Sequence, residues 1–478
     1  MMRGLRFYVL LEEHMKLRRH WFIAVLTVLA MVASACATDE GGDATTTTEA
    51  APDTTEAGGT DTTEAATDTT EATADLAGTT VTVFSSEDGA AEATGIQNAL
   101  DVFAEANGMT ITHTGARDFS DQINAQAAGG NPPDIAMFPQ PGKVIDFANE
   151  GFILPVPQDI VDVVRPQWPG GTLETYSTGD GVFAFQIKTD LKSIVWYNTA
   201  VFADGGYDIP VTLDELLALT ETMVADGVTP WCAGIESGPA TGWVFTDWME
   251  DMMLRTVGPE AYDEWVAGDL AFSDPSVIAV GQQILDLWNT PGNVYAAGGS
   301  IAATAHSADH GQPLVDGTCA MVRQASFFGA FLPEGTPVGA DGEVGTFYFP
   351  AADASSSPVL TAGNSAAAFR DAPEVWAVME YLGSTAYAEE RQKAQREIQG
   401  GDASGFLTAN LGVDLSLWNE LEGAFIGILA AANPARFDGS DMMPAAVGAG
   451  TFWSEGTSAV NGDSTIEEAF TAIDASWP

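Results

Sequence analysis

Strand-like and helix-like segments alternate through the first half of the chain that can fold, and that alternation restricts the architecture more than any other feature. Thr79-Thr-Val-Thr-Val-Phe84 alternates β-branched and apolar residues with the two-residue period of a strand. A polar loop follows at 85–89, and residues 90–106 then carry Ile96, Leu100 and Phe103 at helical spacing. Residues 109–114 read as a second strand, 119–128 as a helix and 135–138 as a third strand. Such alternation builds an α/β domain around a mostly parallel sheet. Ligands of these sheets sit beyond the carboxyl ends of the strands, which brings the 85–88 loop, Arg117 and residues 138–140 to one cleft rim.

Further along, residues 181–196 read as extended. Residues 213–225 read as a helix opened by Thr212 with Glu215 three residues later, a capping-box spacing. Residues 240–290 are helix-rich, 345–350 and 359–369 look like strands, and helical patterns dominate from 373 onward. At 478 residues there is room for two substantial domains.

Charge removes whole classes of function. Lys plus Arg number 17 against 67 Asp plus Glu, a formal net charge of −50. A chain this acidic repels nucleic acid and anionic lipid surfaces alike. Hydrophobic residues at 46% and twelve Trp still identify a globular protein.

Residues 1–35 read as an export signal. Lys16, Arg18 and Arg19 precede an apolar run from Trp21 to Val32, and Ala33-Ser34-Ala35 leads directly into Cys36. The run is short for a membrane span, and the pattern resembles a bacterial lipoprotein signal cleaved before a lipidated Cys36. Met15 opens a conventional signal, so residues 1–14 read as upstream of the true start. From Ala37 to Asp75 the chain is Thr, Ala, Gly and acid without one Lys or Arg, which makes 36–77 a charge-extended tether that holds the domain clear of the membrane. Two cysteines remain, Cys232 and Cys319, and an even remainder in an exported chain points to one disulfide, with two buried thiols as the alternative.

Several segments resemble one family in order. Gly129-Gly-Asn-Pro-Pro-Asp134-Ile-Ala, Asp180-Gly-Val-Phe-Ala-Phe185 through Val195-Trp-Tyr-Asn198, Leu213-Asp-Glu-Leu-Leu217, and Met443-Pro444 followed by Gly450-Thr-Phe-Trp453 are similar to extracellular solute-binding proteins of the maltose-binding type. Thr229-Pro-Trp-Cys232, the run from Ala240 to Trp248, and Gly115-Ala-Arg-Asp118 look most like binding proteins of α-glucoside transporters. The resemblance implies a two-lobed α/β fold of the type II periplasmic-binding class. One lobe would hold 78–185 with 352–405 and the other 186–351 with 406–478, closing like a hinge over ligand.

A sugar site needs flat aromatic surfaces together with Asp, Glu, Arg, Asn and Gln for its hydroxyls. By its match to the family's aromatic position, Trp453 is the first candidate, with a core Trp at a helix start as the alternative. Trp243 and Asp247 lie four apart and share a helical face, which would equally suit a packed helix interface. Phe327 falls near another family aromatic, though Phe327-Phe328 also suits a core. Glu87 lies on a loop after a strand, Phe138 and Gln140 lie at the carboxyl end of the third strand, and Asn364 sits in a turn that faces the cleft in the family. Arg117 and Arg323 are two of only twelve Lys or Arg beyond Cys36, so a cation at either position serves a partner, either ligand or structural carboxylate.

Enzyme readings find little. His306 and His310 have four-residue spacing without the glutamate of a zinc-protease helix, and Gly363-Asn-Ser365-Ala-Ala only approaches a nucleophile elbow. The expectation is a monomeric importer receptor for a carbohydrate, an α-glucoside or other oligosaccharide, with a permease partner, a lipid anchor as its sole membrane contact, and no metal or cofactor. A surface-anchored glycoside hydrolase, or a same-fold receptor for a polyol or polyamine, is the alternative. Because the tether has no apolar face to dock, deleting 37–75 should leave Tm unchanged; a loss of several degrees in a thermal melt would show that it packs.

Overall fold

The structure is a computed structural model that describes residues 75–353, 355–400 and 403–478. Cys36, the signal segment and nearly all of the tether lie outside the described residues. Among the described residues no helix is long and apolar enough to cross a membrane.

The first of two five-stranded sheets runs in the order 110–115, 80–85, 135–138, 365–368, 184–186. Its first three strands are parallel, and Ser365–Ala368 is antiparallel to both neighbours. The two-residue period of Thr80–Ser85 sends Val81 and Val83 into a core with Ile96, Leu100 and Ile111, and Phe84 into one with Phe119, Phe138 and Phe147. Both faces are therefore covered. Helix Ala90–Asn107 ends on Gly108, whose left-handed φ of 65° returns Gly108 N–H to the last turn and starts the next strand.

The second sheet runs 294–295, 231–232, 321–323, 194–198, 344–348. One face packs Trp231, Trp248 and Trp288 edge to face, with ring centroids 5.5 and 5.6 Å apart along that chain. The other face buries Trp196, Phe328 and Phe425. Here Cys232 and Cys319 form a disulfide with Cα atoms 5.5 Å apart. Helix Leu213–Ala225 begins as its spacing predicts, the Thr212 hydroxyl accepting from Glu215 N and the Glu215 carboxylate from Thr212 N.

A third, three-stranded sheet joins the two lobes. Asp190–Leu191 lies between Ala184–Gln186 of the first sheet and Ile194–Asn198 of the second, and Val359–Ala362 lies between Val344–Tyr348 and Ser365–Ala368. Thus the chain crosses between lobes twice through this sheet, whose remaining strand is Ala435–Phe437.

Three sequence expectations are corrected here. Residues 359–369 are two strands in different sheets, because Gly363 lets the chain turn against Lys188, where a Cβ would come within 2.0 Å of the Lys188 carbonyl. The extended run 181–196 is likewise broken into short strands by its passage between sheets. Strand Ala435–Phe437 interrupts the region that reads as helical. The disulfide spans 87 residues, and closing a loop of that length removes about 4–5 kcal/mol of unfolded-state entropy on the chain-entropy argument. Urea unfolding with and without reductant should differ by that order.

Candidate functional site between the lobes

A cavity of about 170 Å³ opens where the crossover strand meets the ends of both large sheets. By the measure in which one water needs about 10–15 Å³, it has room for a small polar solute. From the first lobe it takes Glu87 and Asp88, after strand Thr80–Ser85, and Gln140, after strand Ile135–Phe138. From the second it takes Trp243 at a helix start, His306, Phe327 and Phe331, and Trp453 at the start of helix Trp453–Asn461.

Its floor is the crossover strand. Lys188 and Lys192 flank the two-residue strand Asp190–Leu191, and Lys188, Asp190 and Lys192 all line the cavity. Lys188 Nζ lies 2.9 Å from Glu87, 3.3 Å from Glu92 and 3.5 Å from Asp190. Lys192 Nζ donates to Asp247 at 2.6 Å and also to Asp438. Lys188 and Lys192 also sit 5.4 Å above the rings of Phe327 and Trp243 respectively. One lysine therefore ties the strand to the first lobe and the other ties it to the second.

The expected site residues divide. Glu87, Arg117, Gln140, Trp243, Phe327, Asn364 and Trp453 line the cavity together. Glu87 is also the centre of a network, accepting from Lys188, from Arg391 at 2.5 Å and from Asn364 Nδ2 at 2.8 Å. Arg117 stands at the mouth, paired with Asp88 at 3.1 Å and with Glu236 of the other lobe at 3.9 Å. Three residues are placed otherwise. Phe138 is fully buried among Phe119, Phe147 and Phe369, because its strand is covered on both faces. Asp247 shares a helical face with Trp243 but lies one turn deeper, where Lys192 and Arg323 hold it. Arg323 is buried between Asp247 and Asp251 and reaches no cavity surface.

Sequence reading missed Lys188, Asp190, Lys192, Asp438 and Asp441. The signal for the first three was present: two lysines and an aspartate at alternate positions of an extended run, in a chain with twelve cations beyond Cys36. Asp438 caps, and Asp441 lies within, a turn of helix, Gly439–Met442, that only the tertiary structure brings to the cavity.

Burial governs the electrostatics. It would push the Glu87 carboxyl up, yet Arg391 and Lys188 hold it well below the usual range. Glu92 rises to about 7, through burial first, with Lys188 opposing and Glu87 adding. Asp441 lies well above its usual value because of burial and Asp438, which favours its neutral form. His306 falls to about 4, so burial keeps it neutral.

Among the described residues, one group has the donor set for a metal ion: Asp247, Glu250 and Asp438, with oxygens within 4.8 Å of one another. The Lys192 ammonium already bonds two of the three, so the cluster has its cation. Ser365, the serine nearest a nucleophile-elbow pattern, is buried and donates to the Phe138 carbonyl at 3.3 Å. The arrangement offers hydrogen-bonding groups and aromatic surfaces on one cavity wall.

The Glu92 proton gives a pH test. Its folded-state affinity for a proton exceeds the ordinary one, so the stability it contributes is complete below about pH 4.5 and is lost as pH rises toward about 7. Glu92→Gln mimics the protonated acid, and its stability relative to the parent should rise over that window by on the order of 1–3 kcal/mol, then level off. Urea unfolding across the window, with a flat difference, would show that Glu92 titrates normally.

The bacterial extracellular solute-binding proteins match this chain over residues 85–389. An alpha-glucosides-binding periplasmic protein of Rhizobium meliloti is 36% identical over 417 residues, covering 84% of this chain and 88% of that protein. An osmoprotective compounds-binding protein of Synechocystis is 35% identical over 398 residues, covering 80% and 89%. A bacterial solute receptor with an exclusive preference for β-D-galactopyranose shares the fold, with a TM-score of 0.69 at 16% identity over 83% of this chain and 97% of that one. With its two lobes, its interlobe cavity and these relatives, the chain belongs to the bacterial extracellular solute-binding protein family.

Proposed function

We propose that this protein is the lipid-anchored receptor of an ATP-driven importer, that it captures an α-glucoside or related oligosaccharide between its lobes, and that it hands the sugar to a membrane permease. The observation that carries the reading is the composition of the cavity wall. Trp243, Phe327, Phe331 and Trp453 supply flat apolar surface, and Asn364, Gln140, Ser237 and Ser440 supply neutral hydrogen-bonding groups. Five of the wall's six carboxylates are matched, Glu87, Glu92 and Asp190 by Lys188, Asp438 by Lys192 and Asp88 by Arg117, and the sixth, Asp441, is held toward its neutral form by burial and Asp438. A cationic ligand such as a polyamine would meet two fixed ammonium groups and no unpaired carboxylate among these. A neutral polyhydroxylated solute meets partners for both its ring faces and its hydroxyls. The similarity to an alpha-glucosides-binding protein supports the sugar class.

A second reading, a hydroxylated osmolyte, is favoured by the similarity to an osmoprotective compounds-binding protein. Capture in either case rests on closure of the lobes about the three-stranded sheet, with ligand stabilising the closed state through its added contacts. Cys36 would carry the diacylglycerol that keeps the receptor at the outer face of the cell membrane, its tether giving reach.

Thermal shift with maltose, trehalose, sucrose, glycerol and spermidine separates these readings. A bound sugar at a hundredfold excess over Kd should stabilise the fold by about 2.7 kcal/mol and be recovered unhydrolysed. Stabilisation by spermidine alone, or release of glucose, would overturn the proposal. Intact mass of the membrane-associated protein should show a diacylglycerol adduct.

A further inference from the structure

Two buried polar atoms of cavity-lining side chains have no hydrogen-bond partner, and they belong to opposite lobes. Trp453 Nε1 is one and Gln140 Oε1 is the other. Both side chains are more than nine-tenths buried, at 5% and 6% exposure, and both line the cavity. Gln140 follows the third strand of the first sheet, whereas Trp453 opens a helix that packs on the second lobe. Unlike the other large buried tryptophans, Trp453 belongs to none of the four apolar core clusters. Its backbone is nevertheless held firmly: Gly242, at φ +117°, lies against it so closely that a Cβ would come within 2.3 Å of the Trp453 carbonyl.

An indole N–H can only donate, and an amide oxygen can only accept. Left unpaired in a dry site, each costs free energy that a matching ligand returns. We infer that Trp453 recognises ligand through its N–H as well as its ring, and that the ligand presents an acceptor to Trp453 and a donor to Gln140. A hydroxyl-bearing solute does both. A methylated ammonium zwitterion such as glycine betaine has carboxylate acceptors but no donor, so Gln140 Oε1 would stay unpaired. The pair thereby selects hydroxylated solutes and rewards closure, since only the closed cleft lets one ligand meet both lobes. This rests on the proposed sugar-binding function and assigns it a specificity-determining contact.

The experiment titrates the full-length protein and its Trp453→Phe and Gln140→Met variants with maltose, trehalose and sucrose by calorimetry, beside glycine betaine. Trp453→Phe keeps an aromatic face and loses the donor, so it should weaken the best sugar about three- to tenfold while the unliganded Tm stays near the parent value. Monodeoxy versions of that sugar add a second readout. The one lacking the paired oxygen should weaken the parent protein but not Trp453→Phe, a coupling that general loosening of the site would not give. Unchanged affinity in Trp453→Phe, with sugar still bound by the parent, overturns this inference alone. Sugars that bind neither protein, or glycine betaine binding in their place, overturn it together with the function. Should Gln140→Met fold poorly, the deoxy series on Trp453→Phe still decides.

Discussion

The structure depends on how two ammonium groups are buried in one crossover strand. Lys188 and Lys192 are each about one-twentieth exposed, and neither could remain charged there without carboxylates. The first lobe supplies Glu87 and Glu92 for one; the second lobe's helix Trp243–Thr256 and the turn after strand Ala435–Phe437 supply Asp247 and Asp438 for the other. Removing one partner of such a cluster leaves an uncompensated charge in a low dielectric, typically a loss of about 3–5 kcal/mol. The position of the strand is thus specified from both sides, and with it the line along which the lobes meet.

That arrangement also sets the character of the cavity. Because the lysines pair Glu87, Glu92, Asp190 and Asp438 of the wall and lie against Phe327 and Trp243, much of the surface offered to a ligand is aromatic and hydrogen-bonding. Arg391, behind Glu87, and Arg323 and Arg255, behind Asp247 and Asp251, extend the pairing into the core. Such depth favours a rigid floor beneath two movable walls. At the mouth, Arg117 touches carboxylates of both lobes while half exposed, where solvent keeps each pair weak. Buried pairs fix the crossover segment, and weak, half-exposed ones bridge the mouth.

Much of this was legible along the chain. Helices Phe119–Ala128 and Leu213–Ala225 and strand Ile135–Phe138 fall where period and capping place them, because those signals are local. Seven of the ten expected ligand contacts also line one cavity, since loops after parallel strands and the family's aromatic positions have a common destination. Phe138 and Asp247 went astray for one reason, whereas Arg323, chosen as a scarce cation, serves the structural carboxylates Asp247 and Asp251. Period assigns a side chain to a face, but it does not reveal whether another layer covers that face.

By itself, the sequence determined the alternation of strand and helix, the acidity that excludes polyanionic partners, and the family. Only the tertiary structure decided which strand joins which sheet, as the split of 359–369 between two sheets shows. It alone paired Lys188 and Lys192 with carboxylates up to 101 and 246 residues away. It also left Trp453 Nε1 and Gln140 Oε1 buried without a hydrogen-bond partner. Local signals reach only a few residues along the chain. Burial, and therefore the need of a charge or an N–H for a partner, exists only once distant segments have come together.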